Sequence, residues 1–222
     1  MTAVVILITA VVGYLTGSIN SAIIVSKTRG SDIRNHGSGN AGLTNMLRTY
    51  GTSAAVLTLV GDILKGVIAV GITPYLASLV CVLTKTEVGY ADDFVLMLKC
   101  IAALSCVIGH NFPLYFKFKG GKGVLTGATV IGLIDWKILV SALVVFLVIC
   151  ICTKYVSLSS ICASGVIVIM SIVLYASKIT TLGGASVIAM CVIMAGMIIV
   201  RHKSNIVRLI NGNERKLGEK KE

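Results

Sequence analysis

The sequence predicts an all-α, polytopic integral membrane protein with about seven transmembrane helices. Three observations predict it. The 222 residues are 56% hydrophobic and only 13% charged, with a mean hydropathy of +0.94, whereas a soluble domain carries about a quarter charged residues to face water. The apolar residues fall into runs of helix-spanning length. The basic residues behind the net charge of +11 cluster between those runs.

A crossing helix takes about 20 mostly apolar residues. On that measure, spans are expected at 3–26, 52–72, 94–111, 123–134, 138–153, 156–177 and 182–200. The first is a helix and not a signal peptide, because no basic residue precedes Lys27 and the apolar run is too long for an h-region. The fourth is too short to cross comfortably. With the fifth, hinged at Asp135-Trp136-Lys137, it reads alternatively as a re-entrant hairpin, leaving five crossings. Either count is odd, so the termini lie on opposite sides.

Positive charge sets the orientation. With the N-terminus outside, the inner segments hold Lys27, Arg29, Arg34, Arg48, Lys117, Lys119, Lys122 and Lys154. The tail from about residue 201 adds Arg201, Lys203, Arg208, Arg215, Lys216, Lys220 and Lys221. Only Lys85, Lys137 and Lys178 remain outside, together with the acids Glu87, Asp92, Asp93 and Asp135. The C-terminus is therefore expected in the cytoplasm. No repeat or soluble domain interrupts the chain, which reads as one transmembrane domain over 1–222.

Seven cysteines make no C-x-x-C pair, and all but Cys81 lie within apolar runs. They read as small hydrophobes, so neither a disulfide framework nor a metal site is expected. No basic stripe interleaved with aromatics suggests nucleic acid.

Three polar segments carry the chemistry. The first is "RNHGSGNAGLTNMLRTYG" from Arg34. Its Gly37-Ser38-Gly39-Asn40-Ala41-Gly42 fits G-x-G-x-x-G, but it follows a membrane helix and no βαβ unit surrounds it, so the dinucleotide reading fails. What survives is an anion cradle: glycines let backbone N–H groups converge, a helix N-terminus follows, and Arg48 offers a planar fork. Candidate phosphate-binding residues here are Gly37, Ser38, Gly39, Asn40, Gly42, Thr44, Asn45 and Arg48.

The second segment, "GHNFPLYFKFKGGKGV" from Gly109, is no NTPase loop. Gly123 follows Lys122 where Ser or Thr is needed, and Phe116 occupies the first glycine position. It still sets Gly120, Gly121 and Gly123 around Lys119 and Lys122, ahead of a helix. Phe112, Tyr115, Phe116 and Phe118 read as an interfacial belt. The third, "RHKSNIVRLINGNERK" from Arg201, reads as a short surface helix with Arg201, Asn205 and Arg208 on one arc and Ile206, Leu209 and Ile210 on another. His202 sits beside Asn205 at the boundary. The topology puts all three segments on the cytoplasmic face. Within the second span, Asp62 and Lys65 stand three apart on one helical face and read as a pair turned into the bundle.

These segments resemble the signature motifs of the bacterial acyl-phosphate:glycerol-3-phosphate acyltransferases of the PlsY type. "GSGNAGLTNMLR", "GHNFPLYFKFKGGKGV" and "HKSNIVRLINGNERK" match in order, as do "YLTGSINSA" and "GDILKG". Leu43 replaces a usual Ala, Asn20 a usual Pro and Lys203 a usual Arg. The resemblance implies acyl transfer from acyl phosphate to the sn-1 hydroxyl of glycerol 3-phosphate. The products are lysophosphatidic acid and phosphate, at the committed step of phospholipid synthesis in the bacterial cytoplasmic membrane.

With a donor already activated, no covalent Ser or Cys intermediate, ATP, metal or other cofactor is implied. Both substrates are small molecules, acyl phosphate being supplied by an upstream acyl-phosphate-forming enzyme, and the site borders membrane lipid. Ser38 would bind the acyl-phosphate head group. Arg48, Lys119 and Lys122 would hold the two phosphates, with Gly120, Gly121 and Gly123 beside them, and Asn205 and Arg208 would position glycerol 3-phosphate. Either His110 or His202 would act as general base, or a substrate phosphate oxygen would take the proton and leave both histidines as orienting groups.

Two rival readings meet contrary signs. An acyl-CoA enzyme is expected to show H-x-x-x-x-D, but Ala41, Tyr115 and Val207 stand five residues after the three histidines. A transporter of phosphate-bearing anions would gather polar groups near the midplane, often with repeated halves. Here they gather at one surface.

Overall fold

In the computed structural model, residues 2–84, 92–178 and 182–219 are described. Lys85 and Glu87, expected outside, and the tail residues Lys220 and Lys221 lie outside the described residues. Those described form ten α-helices and three short 3-10 turns. They fall into two compact units, Met1–Ile134 and Asp135–Glu222.

The first unit begins with α1 (Thr2–Gly17) and α2 (Ser21–Thr28). The expected span at 3–26 is broken at Ser18–Asn20, where Asn20 caps α2 by accepting a hydrogen bond from Ile23 N at 3.1 Å. Helix α3 (Leu43–Gly71) starts nine residues before the expected second span, and it is bent where that span was expected to begin. Gly51 takes φ 81° and ψ −172° inside it, a region that essentially only glycine occupies. The bend separates a short segment carrying Thr44, Asn45 and Arg48 from the rod Thr52–Gly71.

Residues 73–84, which lie between the expected spans, form α4 (Thr73–Thr84). Pro74 sits in its first turn, where a missing N–H costs nothing, and the Thr73 hydroxyl donates to Ala69 O.

Helix α5 (Asp92–Asn111) lies against α1. Gly13 and Gly17 of α1 and Gly109 of α5 let the backbones meet, and a Cβ on Gly13 would stand 2.7 Å from the Ala102 carbonyl. Val5, Ala77 and Leu98 join α1, α4 and α5 in one apolar cluster. A second cluster of Ala22, Ile23, Ile33, Ala41, Met46 and Ala54 anchors the first glycine-rich loop. Helix α6 (Val124–Ile134) is only 11 residues, about 16 Å long against a hydrocarbon core of about 30 Å.

In the second unit, α7 (Trp136–Thr153), α8 (Val156–Tyr175) and α9 (Leu182–Arg201) pack in sequence, followed by the short α10 (Lys203–Ile210). Asp135 caps α7 by accepting from Lys137 N at 2.9 Å. Helix α8 buries Ser159, Ser160, Ser164 and Ser171. Their hydroxyls donate back to carbonyls three or four residues earlier, satisfying them without water.

Among the described residues, six helical segments are long and apolar enough to cross a membrane: Ala3–Thr28, Leu43–Leu79, Asp92–Phe116, Trp136–Thr153, Val156–Lys178 and Gly183–Arg201. The short α6 is not among them, and α7 alone is long enough, without a hairpin partner. Leu7, Ile151, Val173 and Val200 are each more than 60% exposed, which suits lipid and not water.

Candidate active site

The first loop is built around Asn45. This side chain, expected to meet substrate, is buried and used within the loop. Its Oδ1 accepts from Ser38 N at 3.1 Å, and its Nδ2 donates to the carbonyls of His36 at 3.0 Å and Asn40 at 3.1 Å. The turn that needs such a clasp has positive φ at Gly37 and Gly39. Asn45 thus shapes the loop, while Ser38 and Arg48 stand exposed at its rim.

The second loop folds back onto the end of α5. Gly120 N donates to Asn111 O at 3.2 Å and Gly121 N to His110 O at 3.1 Å. These two amides, expected to face an anion, instead satisfy carbonyls that a helix end leaves without partners. The first turn of α6, which begins just after Gly123, adds the backbone amides that a helix N-terminus leaves without intrahelical partners. Lys119 is exposed and Lys122 half-buried.

Behind this loop lies a buried polar triad. Lys65 Nζ donates to Asp62 Oδ1 at 2.7 Å and to Ile19 O at 3.3 Å, and lies 2.7 Å from His110 Nδ1. All three residues are 3% exposed or less. The pair expected from sequence spacing is present, and it has a third member. An ammonium has no lone pair, so His110 Nδ1 must accept and the ring's proton sits on Nε2. His110 Nδ1 lies 3.9 Å from Asp62 Oδ1, beyond hydrogen-bonding reach, and a neutral ring forms no ion pair, so Lys65 links the two. His110 therefore lacks the tautomer of a base. Its Nε2 and the Ala41 carbonyl both crowd the position a Cβ on Gly121 would take. The first and second loops cross at that glycine.

Arg34, assigned no role by the sequence, joins the same two loops. Its Nη1 donates to Phe116 O at 2.8 Å and Lys119 O at 3.1 Å, while Nε and Nη2 fork onto the Asp32 carboxylate. The Arg34 hydrogen bonds hold the Asp32 carboxyl below its ordinary value against the opposing push of burial, and Asp32 raises Arg34 in turn. The spacing Asp-x-Arg ahead of a glycine-rich loop was the signal for this pair.

In the second unit, Asn205 and Arg208 share a face of α10, as their spacing predicts, and Glu214 sits on it. Its Oε1 accepts from Asn205 Nδ2 at 2.7 Å and Ser157 Oγ at 2.8 Å, and its Oε2 from Arg208 Nε at 2.7 Å. Burial pushes the Glu214 carboxyl up, but these three hydrogen bonds and the Arg208 charge hold it below its ordinary value. Leu217 N donates to Lys154 O at 2.7 Å, tying the tail down. Sequence reasoning missed Glu214, although it lies in the quoted third segment. His202 is 3% exposed, and its Nδ1 meets Ile198 O at 2.7 Å. A carbonyl can only accept, so Nδ1 carries the proton and Nε2 is the basic nitrogen. The two candidate bases hold opposite tautomers.

Comparison with known proteins adds three findings. The sequence model of the family described as glycerol-3-phosphate acyltransferase matches residues 7–212. The glycerol-3-phosphate acyltransferase of Clostridioides difficile (strain 630) is 40% identical over 217 residues, covering 97% of each chain. That of Paraburkholderia phymatum is 38% identical over 217 residues, covering 97% of this chain and 94% of its own. The crystal structure of PlsY (YgiH), described as an integral membrane glycerol 3-phosphate acyltransferase, is similar at a TM-score of 0.79 and 32% identity. That match, to the glycerol 3-phosphate form, covers 96% of both chains. A lysophosphatidic acid form gives 0.77 and 31%.

Proposed function

Because this chain belongs to the glycerol-3-phosphate acyltransferase family, we propose that it moves a fatty acyl group from acyl phosphate to the sn-1 hydroxyl of glycerol 3-phosphate. The products are lysophosphatidic acid and phosphate. The observation that carries this reading is the crossing of the two basic, glycine-rich loops at Gly121, which brings two phosphate-suited segments to one place. The reaction runs at the cytoplasmic side of the bacterial inner membrane, with the N-terminus outside and the C-terminus inside, a topology that takes the short α6 as a seventh crossing beside the six longer ones. An upstream acyl-phosphate-forming enzyme supplies the donor.

The hydroxyl oxygen attacks the acyl carbonyl carbon, the bond from that carbon to the phosphate oxygen breaks, and phosphate leaves with the electron pair. Ser38 binds the acyl-phosphate head group, with Gly37, Gly39, Asn40, Gly42 and Thr44 around it. Arg48, Lys119 and Lys122 hold the phosphates and neutralise charge that grows on the leaving group. Asn205 and Arg208 hold glycerol 3-phosphate. Asn45, Gly120 and Gly121 shape the loops.

Purified protein given acyl phosphate and glycerol 3-phosphate is expected to release phosphate and lysophosphatidic acid, and to do so poorly with acyl-CoA. Ser38→Ala, Arg48→Ala and Lys119→Ala should each lower kcat/KM by about a hundredfold or more without moving the unfolding temperature. Normal turnover in all three would overturn the assignment. Uptake of labelled phosphate esters into sealed vesicles, without acyl transfer, would favour an anion transporter.

His202, with its basic Nε2, is the proton acceptor, and His110 is an orienting group. His202→Gln keeps a hydrogen-bonding side chain but cannot take a proton. It is expected to lower kcat about a hundredfold or more and to abolish the acidic limb of the pH–rate profile. A profile of unchanged shape with near-normal kcat would give the proton to a substrate phosphate oxygen instead.

A further inference from the structure

Two successive residues of the second loop, Lys117 and Phe118, each hold a left-handed backbone with φ 58°. Neither is a glycine, asparagine or aspartate, the residues that visit this region at low cost. Such corners persist where their surroundings over-determine them, and they gather at functional sites.

The surroundings here can be named. Phe116 N and Phe118 N both donate to Pro113 O, at 3.1 and 2.9 Å. The Phe116 ring packs against the apolar cluster under the first loop, with the Lys27 ammonium 5.5 Å from its centre. On either side of the corner stand the carbonyls of Phe116 and Lys119, and both accept from Arg34 Nη1. The opposite edge of the same guanidinium is fixed by Asp32, with Arg34 Nη2 2.7 Å from Oδ2.

We propose that Arg34, locked in place by Asp32, is a positioning residue for acyl transfer, which holds the Lys117–Phe118 corner so that the Lys119 ammonium is delivered to a substrate phosphate. The inference rests on the role given to Lys119 above. A rigid, planar fork suits the task, because it serves a carboxylate and two carbonyls in one plane. A lysine is a point charge on a flexible stem and cannot hold both sides together. The charge that keeps the fork fixed is secure at working pH, since the Asp32 carboxyl is held low.

The test is a double-mutant cycle on purified protein, with kcat, KM for each substrate and the unfolding temperature measured together. Arg34→Lys is expected to unfold within a few degrees of the wild type and to lose about ten- to a hundredfold in kcat/KM, the scale of an ångström-level misplacement. Lys119→Ala should lose at least as much. The double variant should be no worse than Lys119→Ala alone, because a misaimed lysine that is already absent removes nothing further. A merely structural role for Arg34 would instead multiply the two losses.

Wild-type kcat/KM in Arg34→Lys, or multiplied losses in the double variant, would overturn the proposal while leaving the reading of Lys119 intact. Full activity in Lys119→Ala would overturn both. If Arg34→Lys does not fold, Asp32→Asn takes its place in the same cycle, since it unlocks the fork while leaving the arginine present.

Discussion

Lys65→Met is expected to give a protein that unfolds well below the wild-type temperature and transfers no acyl group. The reason is the Asp62 carboxylate, 1% exposed and dependent on Lys65 Nζ at 2.7 Å. Removing one partner of a buried pair leaves an uncompensated charge, an effect of about 3–5 kcal/mol. Replacing both partners with apolar residues of similar volume is often neutral, so Asp62→Leu combined with Lys65→Met should recover most of the lost unfolding temperature. It should not recover activity, because His110 Nδ1 still lacks its donor and the ring that backs the second loop is no longer oriented. Thermal unfolding in detergent and kcat/KM on the two variants separate these effects. An unfolding temperature unchanged in Lys65→Met would show that the triad does not hold the unit together, and full activity in the double variant would remove His110 from the support of the loop.

Gly121→Ala is the second large effect. The added methyl would stand 2.6 Å from the Ala41 carbonyl and closer still to His110 Nε2, below any distance a real Cβ keeps. Neither neighbour yields cheaply. Ala41 belongs to the backbone of the first loop, and His110 is pinned at its other nitrogen by Lys65. The two loops must part, and a shift of about 1 Å between phosphate-holding groups costs about a hundredfold in rate. The fold should survive, because the clash lies at a loop crossing and not within a helix-packing face. Near-normal kcat/KM would show that the crossing does not align the reaction.

Much of this arrangement was legible in the sequence because its signals are local. Apolar runs marked the crossings, glycine and lysine together marked the loops, and the i,i+3 spacing of Asp62 and Lys65 marked an ion pair. What was not legible depends on tertiary contact. Nothing in the spacing tells Asn45, used inside its loop, from Ser38 at its rim. The tautomers of His110 and His202 follow from Lys65 and the Ile198 carbonyl, one of which lies 45 residues from its histidine in the chain. Arg34 reads as one more inner-face cation until Phe116 and Lys119 are seen against it. The helix at 73–84 was not among the expected elements because its 12 residues fall short of a crossing, though a proline in the first turn is among the commonest ways to begin a helix.

The bend at Gly51 has a consequence for how the enzyme meets membranes of different thickness. Glycine reaches this geometry without side-chain strain and no neighbour stands within 4 Å of where a Cβ would lie, so the bend can act as a hinge between the short segment and the rod. A thicker or thinner membrane must be accommodated by tilting the rod Thr52–Gly71, and the ledge bearing Arg48 should ride at headgroup level whatever the lipid composition.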